Sequence, residues 1–456
     1  MNINKIHNVY FVGIGGIGMS AIARYFNSIG KNVAGYDKVS KALTVKLNSE
    51  GIDIHFDDNV ELIDKKYKNK NTTLVVYTPA IPNTNNELNF FIENDFIVKK
   101  RSEVLGLLCS TKQGIAVSGT HGKTTISTMI AHLLKQSTIG CSAFLGGISK
   151  NYDSNYLVDI NSEKIVIEAD EFDRSFLTLY PDIAVVTAID ADHLDVYKNA
   201  DNLKQSFEQF INQINNKGKL IIKKGLNINY HNIKDIDIYN YSLNEKSDFY
   251  AENIRIDEGL YIFDFITPNS RINNIKLGFP GIINVENAIA ALSVAYLCGV
   301  KSLELMKALS SFKGIVRRFD YHIRKSNFVY IDDYAHHPAE LKATINSVRE
   351  IYPKKKITGV FQPHLFTRTR DFADEFAKSL DLLDEIILLD IYPAREVPIE
   401  GISSEIIFNK LINNNKTLCK KNELLNILIN RDLEVLITLG AGDIDEFVNP
   451  IKNMFK

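Results

Sequence analysis

Cysteine is scarce: the 456 residues hold four, at 109, 141, 298 and 419, with no C-x-x-C pair among them. Neither a disulfide framework nor a zinc–thiolate cluster is expected, and the scarcity fits a reducing, cytoplasmic setting. An excess of charge of either sign is also missing. Lys and Arg number 53 and Asp and Glu 55, a net charge of -2, so no overall field draws the chain to nucleic acid or to an anionic membrane. Long hydrophobic runs are absent as well. The stretch Val9 to Ala23 is broken by Gly13, Gly15, Gly16, Gly18 and Ser20 and passes into a helical pattern, so it reads as a buried strand and turn. No run reaches the roughly 18–20 apolar residues that a membrane-spanning helix needs. The expectation is a chain without nucleic-acid or membrane partners, a monomer or weak homodimer.

What is present is globular. Hydrophobic residues make up 45% and charged residues 24%, the balance of a folded chain, and at roughly 150 residues per domain the length suggests three. Short β-branched runs at Val9–Val12, Asn32–Tyr36 and Leu74–Tyr77 alternate with helical periods at Ile17–Ser28 and Glu87–Glu93, a βαβ rhythm that predicts a parallel sheet. The rhythm restarts with a strand at Gly114–Ser118 and a helix at Lys123–Lys135, and continues through strands at Lys164–Ile167, Ile183–Thr187 and Lys219–Ile222. Segments 249–256, 260–266 and 272–277 alternate apolar and polar around Asp257-Glu258-Gly259 and Pro268-Asn269 turns, which predicts a small antiparallel meander. Helices follow at Ile283–Leu297 and Leu303–Leu309, and a third αβ series opens at Phe328–Ile331 and runs through Ile357–Phe361, Asp374–Leu380, Glu385–Leu389 and Val435–Leu439. The expected domains are 1–107, 108–314 and 315–456.

Two glycine-rich turns follow apolar strands and open helices. The first, Gly13-Ile14-Gly15-Gly16-Ile17-Gly18, lets backbone approach a pyrophosphate at a helix N-terminus, and Asp37 stands nineteen residues beyond Gly18 as a nucleotide-binding carboxylate would. The motif fits a dinucleotide and a UDP-sugar equally, since both carry a pyrophosphate; a tight turn that binds nothing is the plain alternative. The second, Gly119-Thr120-His121-Gly122-Lys123-Thr124-Thr125, reads as a phosphate loop in which backbone N–H groups cradle phosphates, Lys123 reaches the β and γ oxygens and Thr124 binds magnesium. It departs from G-x-x-x-x-G-K-[ST], because Val117 stands where the first glycine belongs. Glu168-Ala169-Asp170-Glu171 and Asp190-Ala191-Asp192-His193 follow neighbouring strands, where α/β sheets place ligands, and one carboxylate of this set suits a magnesium ion beside phosphate. Solvated helix caps are the plain alternative.

Further on, Asn284-Val285-Glu286-Asn287 opens a helix with amides that can pair with an adenine edge, or simply cap it. Arg317-Arg318-Phe319 could clamp a transferring phosphoryl group. Asp332-Asp333-Tyr334-Ala335-His336-His337-Pro338 and Gln362-Pro363-His364-Leu365-Phe366-Thr367-Arg368-Thr369-Arg370 both follow apolar strands, and two arginines two apart suit a carboxylate.

In this order the motifs resemble the Mur ligase family, the ATP-dependent amide-bond ligases of peptidoglycan synthesis, over nearly the whole chain. The resemblance rests on the two glycine loops, Glu168 to Asp173, Asp192-His193, Asn284 to Asn287, Asp333-Tyr334 with His336-His337-Pro338, and His364 to Arg370. It implies an α/β fold of three domains: an N-terminal Rossmann-like domain for a UDP-sugar, a central phosphate-loop ATPase with a mostly parallel sheet plus a small antiparallel one, and a C-terminal Rossmann-like domain that closes over them. It further implies ATP and Mg2+, with Lys123, His193 and Arg318 in catalysis and Thr124, Glu168 and His193 at the metal. Gly119 to Thr125, Asn284, Asn287, Arg318, Asp333 and His337 would hold the nucleotide. Gly13, Gly15, Gly16, Gly18, Asp37, Tyr334, His364, Arg368 and Arg370 would hold substrates. The reaction implied is ligation of L-alanine to the carboxylate of UDP-N-acetylmuramate in the cytoplasm, through an acyl phosphate, giving ADP and phosphate. A family member that attaches a recycled tripeptide to the same sugar nucleotide shares most of these motifs. An NAD-binding first domain fits the first glycine loop but not the phosphate loop. A catalytically dead module would be expected to lack Lys123, Glu168 or His193, and all three are present.

Overall fold

The computed structural model describes residues 5–172, 174–190, 197, 199–230, 235–257, 259–394 and 396–456. Its first sheet has strands β1 (Asn8–Val12), β2 (Asn32–Tyr36), β3 (Asp53–His55), β4 (Thr73–Tyr77) and β5 (Ile97–Lys100), in the order β3-β2-β1-β4-β5 and parallel throughout. β1 is buried along its length, as a central parallel strand covered on both faces must be, and so reads as an unbroken apolar run.

The second sheet contains β6 (Gln113–Ser118), β7 (Ser142–Ser149), β8 (Ser154–Leu157), β9 (Lys164–Glu168), β10 (Ile183–Val186), β11 (Lys219–Lys223) and β12 (Asp237–Tyr241), ordered β12-β11-β10-β6-β9-β7-β8. Only the β7–β8 edge pair is antiparallel among its pairings. A three-stranded sheet follows, β13 (Tyr250–Asp257), β14 (Leu260–Ile266) and β15 (Arg271–Lys276), in meander order. The last sheet, β16 (Asp320–Arg324), β17 (Val329–Asp333), β18 (Ile357–Phe361), β19 (Glu385–Leu389), β20 (Lys416–Cys419) and β21 (Val435–Leu439), runs β16-β17-β21-β18-β19-β20, with β16 antiparallel to β17 and the other pairs parallel. The expected α/β class and the small separate meander are therefore present.

The chain divides into two compact units: Met1–Ile254 with Phe263–Lys276 and Glu286–Phe312, and Arg255–Ile262 with Leu277–Val285 and Lys313–Lys456. Within the first unit one apolar cluster joins the first two sheets, running from Phe11 and Phe26 to Phe144, Phe176 and Phe207. Tyr25 packs edge-on against Phe144 and Tyr156, with centroids 5.7 and 6.3 Å away. Arg24 on the helix Ile17–Ser28 donates Nε to Glu50 at 2.6 Å and Nη1 to Asn155 at 2.6 Å, so the buried guanidinium is both paired and hydrogen-bonded, as burial of a charge requires.

No helix among the described residues is long and apolar enough to cross a membrane.

Candidate functional site

The phosphate-loop segment forms between β6 and the helix Lys123–Lys135. Val117 lies inside β6, buried, so the loop begins at Gly119, whose φ of 135° excludes ordinary side chains. A Cβ there would collide with Thr187 Oγ1, and Gly122 enters the helix at φ 81° with Asn287 Oδ1 2.9 Å from where its Cβ would stand. With no glycine at position 117, the turn begins on Gly119, two residues later and in a shorter loop. Thr120 N donates to Ala188 O at 3.0 Å, and Thr187 Oγ1 donates to His121 O, so β10's exit holds the loop. Asp190 N donates to Thr120 Oγ1 at 3.1 Å, and the His121 ring lies 3.4 Å from Asp190.

Lys123 donates Nζ to Gly119 O at 2.9 Å and to Glu171 Oε1 at 2.8 Å. Its side chain is 14% exposed and that of Glu171 0%, so this is an ion pair taken out of water. Burial works against the ammonium, but Glu171, Asp170 and Glu168 outweigh it and hold the Lys123 pKa above that of a free lysine. Burial pushes the Glu171 carboxyl up to about 7, against the pull of Lys123. Beside this pair Thr124 Oγ1 donates to Glu168 Oε1 at 2.9 Å, and Gly146 N donates to Glu168 Oε2 at 3.1 Å. A hydroxyl and a carboxylate at the mouth of such a loop are hard oxygen donors of the kind magnesium prefers beside phosphate. The third expected metal ligand, His193, lies outside the described residues, as do Asp192 and Asp173.

The first glycine loop opens the helix Ile17–Ser28 at the carboxyl end of β1. Gly13 N and Ile14 N donate to Tyr36 O at 2.8 and 3.0 Å. Asp37 accepts from Gly15 N at 2.7 Å and from Val39 N at 3.2 Å, so its carboxylate shapes the loop. Gly16 and Gly18 line a cavity of about 310 Å³ whose far wall is Gly146, Glu168 and Asp170. Ligand pockets start at about this size. The cavity sits at the carboxyl ends of β1, β4 and β9, with Phe144 to Gly146 of β7 along it, the place such sheets bind ligands. Arg101, which sequence reasoning passed over, lines it too. The residue follows β5 directly and opens the helix Arg101–Cys109; a basic run ahead of a helix reads as solvated surface, which hid it.

In the second unit Asn284 donates Nδ2 to Pro280 O at 2.6 Å, securing the entry of the helix Ile282–Leu297. Asp333, at the end of β17, accepts from Phe319 N and Ala335 N at 2.8 Å each and from Thr344 Oγ1 at 3.3 Å. Burial raises its carboxyl, against Arg318 and those two N–H groups. Asp333 thereby fixes the turn that presents Tyr334, over whose ring both arginines stack, Arg317 Cζ at 5.0 Å and Arg318 Cζ at 5.1 Å from the centroid. Their other contacts differ. Arg317 Nη2 donates to Gly440 O at 2.6 Å and Nη1 lies 3.1 Å from Asp445, whereas Arg318 has Glu340 at 3.9 Å. The expected arginine clamp is therefore one arginine built into the fold beside one held more loosely.

His337 caps the helix Pro338–Ile351 and packs on Phe372 at 5.0 Å, while His336 contacts Tyr334 O at 2.9 Å and Glu340 at 3.3 Å. Burial brings His336 down to about 4, with Arg368 and Arg318 adding to the shift and Glu340 opposing it. His364 stacks on Tyr392 at 5.8 Å and meets Arg368 Nη1 at 3.5 Å. Arg370 instead pairs with Asp371 at 2.7 Å, half exposed. Both arginines lie on the helix Phe366–Asp371, where residues two apart do not face each other, so the structure does not bring them together on one carboxylate.

Comparison with known proteins agrees with this architecture. Residues 8–113 match the Mur ligase family catalytic domain, 117–295 the Mur ligase middle domain and 317–441 the Mur ligase glutamate ligase domain. A UDP-N-acetylmuramate--L-alanine ligase of Parabacteroides distasonis is 54% identical over 454 residues, covering 100% of this chain and 98% of that protein. One of Flavobacterium psychrophilum is 53% identical over 452 residues, covering 99% of each. The crystal structure of the UDP-N-acetylmuramate-alanine ligase of Thermotoga maritima superposes with a TM-score of 0.82 at 26% identity, covering 98% of this chain and 99% of that one. A murein peptide ligase of Psychrobacter arcticus shares the fold at a TM-score of 0.68 and 20% identity, covering 98% of each chain. Matched along nearly its whole length by the three family domains and by relatives about half identical to it, the chain belongs to the Mur ligase family.

Proposed function

We propose that this chain joins L-alanine to the carboxylate of UDP-N-acetylmuramate at the expense of ATP, in three domains whose boundaries lie near residues 107 and 314. The observation that carries the reading is one cleft with Gly16 to Gly18 of the glycine loop at one wall and, at the other, Glu168, which accepts a hydrogen bond from Thr124 at the start of the second loop's helix. A UDP-sugar on the first loop and ATP on the second would meet there.

A carboxylate is a poor acyl donor to an amine, so it is activated first. Its oxygen attacks the γ-phosphorus, ADP leaves, and an acyl phosphate results. Lys123 leaves Glu171 to reach the β and γ oxygens, and the Gly119 to Thr125 backbone cradles the phosphates. Thr124, Glu168 and His193 would hold magnesium, which would neutralise phosphate charge when bound. The neutral amine of L-alanine then attacks the acyl carbon, the tetrahedral intermediate expels phosphate, and the amide remains. Arg318 serves the transferring phosphoryl group, Asn284 and Asn287 the adenine side of the nucleotide, and Asp333 and His337 shape the nucleotide-binding turn. His364 with Arg368 receives the carboxylate of the amino acid, with Tyr334 alongside. Asp37 holds the first loop in shape for the pyrophosphate.

Phosphate release from ATP tests this. Release that requires both UDP-N-acetylmuramate and L-alanine is expected. Release with the L-alanyl-γ-D-glutamyl-diaminopimelate tripeptide in place of L-alanine would assign the recycling reaction instead, and none with either would end the ligase reading.

A further inference from the structure

Arg101 faces the cavity between the glycine loop and the acidic cluster, and it is the only cation among the described residues that line that cavity. Its side chain is 24% exposed, and its acidic partner is Asp170, with Nη2 to Oδ2 at 4.0 Å. That is a long contact for a side chain whose five N–H donors can fork around a carboxylate. Gly18 makes room for it: a Cβ on that glycine would stand 2.6 Å from Arg101 Nη1. Asp170 is itself held from within its turn, accepting Phe172 N at 3.2 Å on Oδ1, so Arg101 is oriented by this acid without being saturated by it.

We propose that Arg101 is the receptor for the lactyl carboxylate of UDP-N-acetylmuramate, and so the residue that distinguishes this nucleotide from UDP-sugars lacking that group. The inference rests on the function proposed above. The reacting carboxylate must come to the end of the cavity where Glu168 and Asp170 stand, and two carboxylates there repel a third. Lys123 does not offset this, because Glu171 and Gly119 hold it and the ATP phosphates claim it. The pyrophosphate has its own receptor in the backbone of the glycine loop and the helix it opens. Among the side chains that line the cavity Arg101 is the cation that remains, beside any magnesium that Glu168 would hold.

Calorimetric titration of wild type, Arg101→Ala and Arg101→Lys with UDP-N-acetylmuramate and with UDP-N-acetylglucosamine, which has the same pyrophosphate and no lactyl carboxylate, tests the assignment, alongside thermal unfolding of each protein. Arg101→Ala is expected to bind the muramate nucleotide about ten- to a hundredfold more weakly, as loss of a charged hydrogen-bonded pair entails, and to leave affinity for the glucosamine nucleotide within about twofold. Arg101→Lys, which keeps the charge without the fork, is expected to fall between. Equal loss for both nucleotides would place Arg101 on the pyrophosphate and overturn the proposal, as would unchanged affinity for both. A wild type that binds no UDP-N-acetylmuramate would overturn the functional reading itself, and this inference with it. Weakened binding of the muramate nucleotide by an Arg101→Lys protein that unfolds at the wild-type temperature would exclude a merely structural role.

Discussion

The two glycine loops of the first unit solve one problem in two ways. Each follows a buried central strand and opens a helix, and each starts on a glycine at positive φ, 88° at Gly13 and 135° at Gly119. The second loop carries its own cation and hydroxyl, Lys123 and Thr124, as the first two residues of its helix. The first has Ile17 and Gly18 at those positions, and the cation nearest in its cavity is Arg101, eighty-three residues beyond Gly18 in sequence. Acids reflect the same division. Asp37 is spent on the backbone of the first loop at Gly15, whereas Glu168 and Glu171 engage the side chains of the second. A loop that must stabilise a transferring phosphoryl group needs charge that moves with the reaction. A loop that only seats a pyrophosphate is served by fixed N–H groups.

This contrast can be broken at named residues. The largest effect is expected for Lys123→Ala, which should lower turnover by at least about 10²–10³-fold while circular dichroism stays that of the wild type; near-normal turnover would remove the phosphate-loop assignment. Gly119→Ala should cost about 2–4 kcal/mol, since it combines an unfavourable φ with a collision at Thr187, and urea unfolding measures it. Glu171→Gln leaves the buried Lys123 ammonium facing a neutral partner and should cost about 1–2 kcal/mol in the nucleotide-free protein. ATP should then raise the melting temperature of this variant more than it raises that of the wild type. The smallest effect is expected at the glycine that caps the first loop's helix. Gly16 has an ordinary extended backbone, φ -66° and ψ 144°, and a Cβ there would meet nothing closer than Met19 Cγ at 3.7 Å, so Gly16→Ala should stay within about 0.5 kcal/mol of wild type.

Buried parallel strands were the most legible part of the sequence, because burial on both faces leaves a run of β-branched residues with little interruption. β1, β6 and β18 differ from their expected ranges by at most one residue at an end. Edge elements were harder to see. β8, β16 and β20 have four or five residues each, too few to show a period. The helix Pro338–Ile351 went unread for a different reason. Its Pro at the first turn, its capping box from His337 to Glu340 and its apolar Leu341, Ile345 and Val348 are an ordinary helix signal, but His336-His337-Pro338 reads equally as a cluster of chemical groups and masks it. Local motifs likewise gave Lys123, Thr124 and Glu168, which sit where strand ends converge. They could not give Arg101, since only the pairing of β4 with β5 brings it beside β1's loop, nor show that Arg368 and Arg370 part company on a helix.

The central claim is that the first loop seats the UDP-sugar and the second ATP. Titrating Lys123→Ala with each nucleotide separately, against wild type, tests it most directly. The account predicts that ATP affinity falls by about tenfold or more while affinity for UDP-N-acetylmuramate stays within about twofold. Equal loss of both, or loss of UDP-N-acetylmuramate alone, would contradict it.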